Sequence, residues 1–270
     1  MVIDSGSSDN TRTEAQAAGF EMESIAASDF DHGGTRQRAV EKHPQADIYV
    51  FLTQDAIPAN TQALANLIRA FDDPQVGVAY GRQLPHPKAS IPEAHARLFN
   101  YPSRSHVRQL SDVDQYGIKT IFCSNSFAAY RRSAFEMVGG FPIGTIMGED
   151  AITAGNLLLK GWKIAYVADA CVYHSHNYTL REEFERYFDI GVFHRSNPWI
   201  FKAFGRANRE GMKYVKSEVN YVARRNFLLL PKVCCSFLAK WLGYKLGLQY
   251  ERLPDHMRKA FSMYKRYWDK

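Results

Sequence analysis

A continuous apolar run followed at once by polar residues constrains the fold of this chain most strongly. The run extends from Ile48 to Leu52, and Thr53, Gln54 and Asp55 follow it directly. Runs of this length without alternation are typical of parallel strands buried on both faces. The carboxyl ends of such strands are where open α/β sheets bind ligands, so Asp55 is a candidate for binding a metal or a ribose. Taken alone, an aspartate there is more often a turn former.

Strand and helix patterns alternate along the first 198 residues, which predicts an α/β fold with helices packed on a sheet. The residues from His86 to Asp114 are polar and contain three prolines, which predicts an irregular insert that frames a pocket. Besides residues 48–52, the predicted strands cover residues 76–80, 121–130 and 162–167. The predicted helices cover residues 13–18, 35–42, 60–71 and 149–160, and nearly all of the chain after Leu180.

The charge of the chain is divided unevenly. Residues 1–198 hold 18 Lys and Arg against 23 Asp and Glu, whereas residues 199–270 hold 16 against 5. The sequence therefore predicts an acidic domain over 1–198 and a basic, aromatic helical tail over 199–270. A segregated basic tail is typical of proteins that meet an anionic partner, either an acidic lipid surface or nucleic acid, although a solvated helical face would look the same.

The cysteines and the hydropathy pattern indicate the cellular compartment of the chain. The four cysteines lack Cys-x-x-Cys spacing, and Cys234 and Cys235 are adjacent, which is poor geometry for mutual pairing. A reduced, cytoplasmic chain is therefore expected. No secretory signal pattern opens the chain, and the longest apolar stretch, residues 227–239, is interrupted by Pro231 and Lys232.

Two further patterns could carry chemistry. Glu149 and Asp150 begin a predicted helix, where the helix dipole alone explains most carboxylate pairs and a general base is the functional alternative. His174 and His176 follow a predicted strand and would point to the same side of an extended chain, as metal ligands or phosphate contacts do.

The first residues resemble the end of a strand rather than the beginning of a domain. Val2 and Ile3 run directly into the small-residue turn from Asp4 to Thr11, and a helix follows. We therefore expect the first strand and helix of the domain to be missing here, through truncation or a misassigned start.

Taken together in this order, the motifs resemble family 2 glycosyltransferases, and within them the rhamnosyltransferase-like branch. The resemblance covers residues 2–200 and includes residues 187–191, His194 and Arg195. The motifs that carry it are Val2 to Asp9, Gly33-Gly34-Thr35-Arg36, Thr53-Gln54-Asp55-Ala56, Ser124-Asn125-Ser126, Arg131 to Phe135, Gly139-Gly140-Phe141 and Gly148-Glu149-Asp150.

The resemblance implies a GT-A fold, a Rossmann-like mixed sheet flanked by helices, here with a C-terminal helical extension. It assigns Asp150 as catalytic base, with Glu149 beside it, and Asp55 and His174 as ligands of Mg²⁺ or Mn²⁺. It places Ser124, Asn125 and Trp162 on the acceptor side. The residues that it implies for the nucleotide and donor are Asp4, Ser5, Gly6, Gly34, Arg36, Gln54 and Asp55. Because Gln54 replaces one carboxylate of the expected metal motif, weak metal dependence is expected.

The implied reaction is inverting transfer of a sugar, from dTDP-rhamnose or a UDP-sugar, to a cell-surface polysaccharide or lipid-linked glycan. Such an enzyme would work in the cytoplasm, with its tail on the anionic inner face of the cell membrane.

Three alternatives stay open at this point. The chain could be an inactive scaffold of the same fold, or a metal-dependent hydrolase that uses Asp55, Asp150 and His174. A nucleic-acid-binding protein acting through the tail is disfavoured, because the tail has no known module and the first 198 residues are acidic.

Overall fold

A six-stranded mixed sheet forms the centre of the protein in the computed structural model, which describes residues 1–205 and 208–269. The strand order is β3-β7-β5-β8-β4, and β6 also pairs with β8. The strands are β1 (Val2–Asp4), β2 (Met22–Ser24), β3 (Ile48–Leu52), β4 (Ile57–Pro58), β5 (Val76–Leu84), β6 (His106–Arg108), β7 (Phe127–Arg131) and β8 (Lys163–Tyr173).

Helices cover both faces of this sheet and form the C-terminal part of the chain, so the expected α/β fold with a helical extension is confirmed. They are α1 (Thr11–Ala17), α2 (His32–Lys42), α3 (Ala63–Ile68), α4 (Ile91–Asn100), α5 (Val113–Tyr116), α6 (Arg132–Met137), α7 (Glu149–Leu159), α8 (Leu180–Ser196), α9 (Pro198–Phe204), α10 (Asn208–Asn226), α11 (Leu230–Gly247) and α12 (Asp255–Phe261).

The apolar run that opened the argument is a strand, but not a central parallel one. β3 pairs antiparallel with β7 and has no second neighbour among the described residues. Val50 and Leu52 are 39% and 49% exposed, so one face of this edge strand is open. The parallel pair at the centre is β5 with β8, and both strands run towards the same edge of the sheet.

Strands β1 and β2 form a separate two-stranded parallel sheet. The C-terminal segment holds this part of the chain, because the hydroxyl of Tyr264 donates to the carbonyl of Phe30 and Arg266 donates to the carbonyl of Ala27, both at 2.6 Å. The expected loss of a first strand and helix stays a prediction.

Two segments differ from the sequence expectation. The predicted irregular insert contains helix α4, which Ser90 and Glu93 begin as a reciprocal capping box with Pro92 in the first turn. The predicted strand over residues 121–130 is wrong in its first half: a 3₁₀ helix ends at Ile121, and β7 starts only at Phe127.

The C-terminal helices pack against the same core as the sheet. Ile200 and Phe204 of α9 are fully buried there beside Phe188 of α8. A division of domains at residue 198 stays a prediction, and Arg206, Ala207 and Lys270 of the predicted tail lie outside the described residues.

Helices α8 and α11 approach so closely that only glycine fits between them. A Cβ atom on Gly243 would collide with the carbonyl oxygen of Phe184, and one on Gly247 with that of Phe188. Gly191 lies opposite, against the backbone of Gly247. The backbones themselves therefore form this helix contact.

We expect Gly243→Ala to destabilise the protein by about 1–3 kcal/mol, because the added methyl group forces the two backbones apart. Gly211→Ala is the matched control: a Cβ atom on exposed Gly211 of α10 meets nothing within 4 Å, and alanine favours a helix. Thermal unfolding of both variants checks this expectation. Equal melting temperatures for the two would contradict the close packing of α8 and α11.

Candidate active site

Two carboxylates begin helix α7 next to a glycine that sets their direction. Gly148, with φ 75°, adopts the left-handed conformation immediately before Glu149 and Asp150. A side chain at position 148 would be strained there, and its Cβ atom would also collide with the ring of Phe193. The turn therefore needs glycine in order to present both carboxylates at the amino end of α7.

Glu149 is buried and held by two side chains. Arg36 Nη1 and Asn125 Nδ2 each donate to Glu149 Oε1 at 3.0 Å. Asn125 is itself oriented by Tyr130, whose hydroxyl donates to Asn125 Oδ1 at 2.7 Å. Because Arg36 and Asn125 both donate to the same oxygen, Glu149 has the character of a fixed positioning group.

Asp150 has weaker support and a different electrostatic setting. Its two oxygens accept from the backbone N–H groups of Asn125 at 3.2 Å and Ala151 at 2.8 Å. Burial, with the adjacent charge of Glu149, raises the pKa of Asp150 to about 7 despite these bonds. A carboxylate with a pKa near neutrality is well matched to remove a proton at neutral pH.

A second cluster lies at the carboxyl end of β3 and β8. His174 Nε2 and His176 Nε2 lie 3.3 and 3.5 Å from Asp55 Oδ2. The ligand atoms of these three residues all lie within 4.8 Å of one another. The ring of His174 beside it keeps the pKa of Asp55 far below its usual range, so this carboxylate is ionised.

The orientation of His174 fits a cation at this cluster. Arg97 can only donate, and its Nη1 donates to Gln83 Oε1 at 2.6 Å, which fixes that atom as an acceptor. His174 Nδ1, at 2.9 Å from the same oxygen, must then donate its proton to it. In neutral His174 this leaves the Nε2 lone pair facing the carboxylate of Asp55. Two such acceptors need a proton or a metal ion between them, and this ligand set suits a divalent cation.

The segment Ser124-Asn125-Ser126 joins the two clusters. Ser124 Oγ accepts from Gln83 Nε2 at 2.9 Å, and Ser126 Oγ lies 3.5 Å from His174 Nε2. Between them, Asn125 contacts Glu149 and Asp150. The base candidate and the cation candidate are therefore held in one hydrogen-bond network.

Known proteins with the same sequence pattern identify the family. Residues 50–246 match the family described as Glycosyl transferase family group 2. The chain belongs to the family 2 glycosyltransferases. It is 49% identical to the O-antigen chain rhamnosyltransferase RfbN of Salmonella typhimurium, over all of this chain and 86% of the relative. It is 48% identical to the O-antigen chain rhamnosyltransferase WbaN of Salmonella anatum, over all of this chain and 85% of that one.

A solved structure agrees with this assignment at the level of the fold. The mannosyltransferase PcManGT of Pyrobaculum calidifontis, in complex with GDP-Man and Mn²⁺, superposes with a TM-score of 0.53 at 17% identity. The superposition covers 99% of this chain and 77% of that one. The expected GT-A type fold is thus confirmed, and the chain is an enzyme of sugar transfer. The alternative of an inactive scaffold is not supported.

The residues expected to bind the donor are divided among at least three places in this glycosyltransferase. Arg36 lies at the carboxylate pair, and exposed Gln54 lies beside Asp55. Asp4 lies in the two-stranded sheet, where it accepts from the backbone N–H groups of Gly6 and Ser7 and from Arg12 at 2.7 Å. No hydrogen bond or ion pair of the described residues links Asp4, Ser5 or Gly6 to either cluster. Their role at the nucleotide stays a prediction.

Gly34 and Trp162, which the resemblance also implied for the site, have contacts outside the two clusters. Gly34 lies in the first turn of α2, where its N–H donates to the capping side chain of Asp31 at 2.7 Å. Trp162 lies just before β8, at the opposite end of this strand from His174 and about 30 Å away along it. Its Nε1 lies 3.4 Å from the sulfur of Met137. The expected role of Trp162 on the acceptor side stays a prediction.

Sequence reasoning missed Gln83 and Arg97, which orient His174. We call the group of Asp55, His174 and His176 the metal cluster. Gln83 ends β5 beside the end of β8, and Arg97 comes from α4, the helix that the sequence did not predict. A polar residue near the end of a strand was the only sequence signal for Gln83. Arg97 had none, because it reaches the site only after α4 folds across the sheet.

We expect the purified chain to bind Mn²⁺ and to bind it 10–100-fold more weakly as Gln83→Leu, because His174 loses the partner that fixes its tautomer. His174→Ala removes a ligand and should weaken binding further. Titration calorimetry with Mn²⁺ checks both, and exposed Gln62→Leu is the matched control. Unchanged affinity in folded Gln83→Leu would show that His174 does not bind the ion.

Proposed function

We propose that this glycosyltransferase moves rhamnose, with inversion, from dTDP-rhamnose to a hydroxyl group of a cell-surface polysaccharide or lipid-linked glycan. The observation that carries the mechanism is a carboxylate with a pKa near 7, Asp150, in one network with the cluster of Asp55, His174 and His176. The identity of 49% to an O-antigen chain rhamnosyltransferase supports the sugar. A UDP-sugar is the alternative donor.

Each bond change in the proposed transfer has a place in this network. The acceptor oxygen attacks C1 of the donor sugar and gives its proton to the carboxylate of Asp150. The bond between C1 and the diphosphate oxygen breaks, and its electron pair leaves with the nucleoside diphosphate. Glu149, fixed by Arg36 and Asn125, keeps the acceptor and base in line. A divalent cation held by Asp55, His174 and His176 would neutralise charge on the diphosphate.

We expect Asp150→Asn to lower kcat by a factor of about 10²–10⁴, because the acceptor proton loses its base. In the wild type, kcat should rise with pH and level off above pH 7, since Asp150 must be deprotonated to act and its pKa is about 7. Asp150→Asn should lose this limb of the profile. Release of dTDP from dTDP-rhamnose in the presence of acceptor measures both effects.

The matched control is Asp72→Asn, which removes a surface carboxylate of a 3₁₀ helix away from both clusters. Retention of more than half of the wild-type kcat by Asp150→Asn would place the base elsewhere. Release of free sugar without acceptor would instead favour the metal-dependent hydrolase.

We further propose that the enzyme attaches to the anionic inner face of the membrane through helices α10 and α11. The stretch Glu210–Gly247 is long and apolar enough to cross a bilayer, with 17% of its most apolar part buried. However, the chain bends at Asn226, and α11 packs along α8 through Gly243 and Gly247. A helix that is packed on one face and apolar on the other favours a position in the interface.

The exposed side chains of this region are suited to such a position. Phe227 and Leu228, at the bend, are 67% and 72% exposed. Leu238, Trp241 and Leu242 form an exposed apolar stripe on α11. Basic residues accompany both, which would add attraction to anionic lipid: Arg224, Arg225, Lys232 and Lys245.

We expect the double variant Phe227→Ser with Leu228→Ser to lose at least half of its binding to vesicles that contain phosphatidylglycerol, because the most exposed apolar side chains are removed. Leu64→Ser, an equally polar change at an exposed leucine of α3, is the control. Co-sedimentation with anionic and neutral vesicles gives the measurement. Wild-type binding that does not depend on anionic lipid would contradict the proposal.

A further inference from the structure

A cavity that Phe122 helps to line has mostly basic residues among its charged lining residues. Its volume is about 630 Å³, and it lies between the end of α4, strand β6 and the segment 115–122. Its charged lining residues are Arg104, Arg108, Lys119, Lys213 and Glu210. Glu210 pairs with both lysines, at 2.9 and 2.6 Å, so positive charge is left in excess.

Arg108 is the residue that distinguishes this cavity from a basic surface. It is 9% exposed, and the ring of Tyr116 lies 5.2 Å from its guanidinium carbon. Its Nη1 donates to the carbonyl of Lys119, whereas its buried Nε has no hydrogen-bond partner within residues 1–205 and 208–269. No carboxylate in those ranges lies within salt-bridge distance of it. A buried guanidinium without a counter-charge is unfavourable unless an anion binds.

A neighbouring histidine is also left without a partner. His106 lies two residues earlier on β6 and lines the same cavity. Its Nε2 is buried and has no hydrogen-bond partner in the part of the chain that the structure describes. Because alternate residues of a strand share a face, His106 and Arg108 place two buried nitrogens without hydrogen-bond partners on the same face of β6.

The cavity lies outside both clusters described above, and its lining residue Phe122 is close in sequence to Asn125. Tyr101 and Phe122 form an edge-to-face pair, with ring centroids 5.7 Å apart, and Phe122 lines the cavity. Phe122 comes three residues before Asn125, which contacts both Glu149 and Asp150. A ligand in the cavity could therefore continue towards Asp150 past this aromatic wall.

We propose that this cavity binds the phosphate or diphosphate group of the acceptor substrate, with Arg108 as its principal contact. This inference rests on the proposed function, because it assigns to the acceptor a group that the transfer itself does not require. The rings of Phe99, Tyr116 and Phe122 leave room for an apolar or sugar portion next to the phosphates. The volume exceeds that of an inorganic phosphate, which favours a larger phosphorylated ligand.

The first test uses inorganic pyrophosphate and the full chain in EDTA, so that no metal ion can link pyrophosphate to Asp55. Calorimetry should show binding that weakens at least 10-fold in Arg108→Gln and 3–10-fold in Arg104→Gln. Exposed Lys160→Gln, which changes the charge equally at the far end of α7, should bind as the wild type does. Asp55→Ala should also leave this binding unchanged.

Folding must be separated from binding, because Arg108 is buried. Circular dichroism and thermal unfolding identify a variant that fails to fold, and exposed Arg104 provides an independent test if Arg108→Gln does. Absence of pyrophosphate binding by the wild type, or unchanged binding in both arginine variants, would overturn the proposal. Loss of binding in Asp55→Ala would overturn it as well, by placing the anion at the metal cluster.

The second test distinguishes a phosphorylated acceptor from a free anion. Two acceptors with the same glycan are compared, one linked to an alkyl diphosphate and one without phosphate. Arg108→Gln should raise KM at least 10-fold for the diphosphate acceptor only. Equal KM changes for both acceptors, or none, would overturn the assignment to the acceptor. Transfer to the phosphate-free acceptor tests the proposed function separately, since it depends on Asp150 and not on this cavity.

Discussion

The site depends on the hydrogen bonds that the side chain and the backbone of Asn125 make. Its side-chain Nδ2 donates to Glu149, its backbone N–H donates to Asp150, and its side-chain Oδ1 accepts from Tyr130. These three groups of Asn125 therefore bind two carboxylates and a buried phenol hydroxyl. One residue just before β7 therefore fixes both carboxylates of α7 relative to the sheet, and buried networks of this kind tolerate few other arrangements.

The two carboxylates obtain different properties from nearly the same position. Glu149 has the guanidinium of Arg36 at 3.0 Å, which holds its carboxylate in place. Asp150 has only backbone donors, and burial, with the charge of Glu149 beside it, makes its ionisation less favourable. Separate roles for two adjacent acids follow from this difference, since one is held by side chains and the other can take up a proton near neutral pH.

The sequence predicted the elements that local residue patterns specify, and it missed those that depend on contacts distant in the chain. The end of β3, the start of α7 and the paired histidines after β8 could be predicted, because strand runs, adjacent acids and alternating positions are visible in a short window. Arg97 could not, because it reaches Gln83 only through the fold of α4 across β5.

Helix α4 connects the regions that the proposed transfer needs. Arg97 orients Gln83 and through it His174, while Phe99 lines the basic cavity and contacts Lys119. On its other side, buried His95 lies 2.8 Å from the hydroxyl of Ser217 on α10, and burial lowers its pKa to about 4, so the ring stays neutral. A helix that contacts the metal cluster, the cavity and the proposed membrane surface cannot shift at one of them without affecting the others. Attachment of α10 to a membrane would thus position α4, and with it the cavity and the metal cluster, relative to a lipid-linked acceptor.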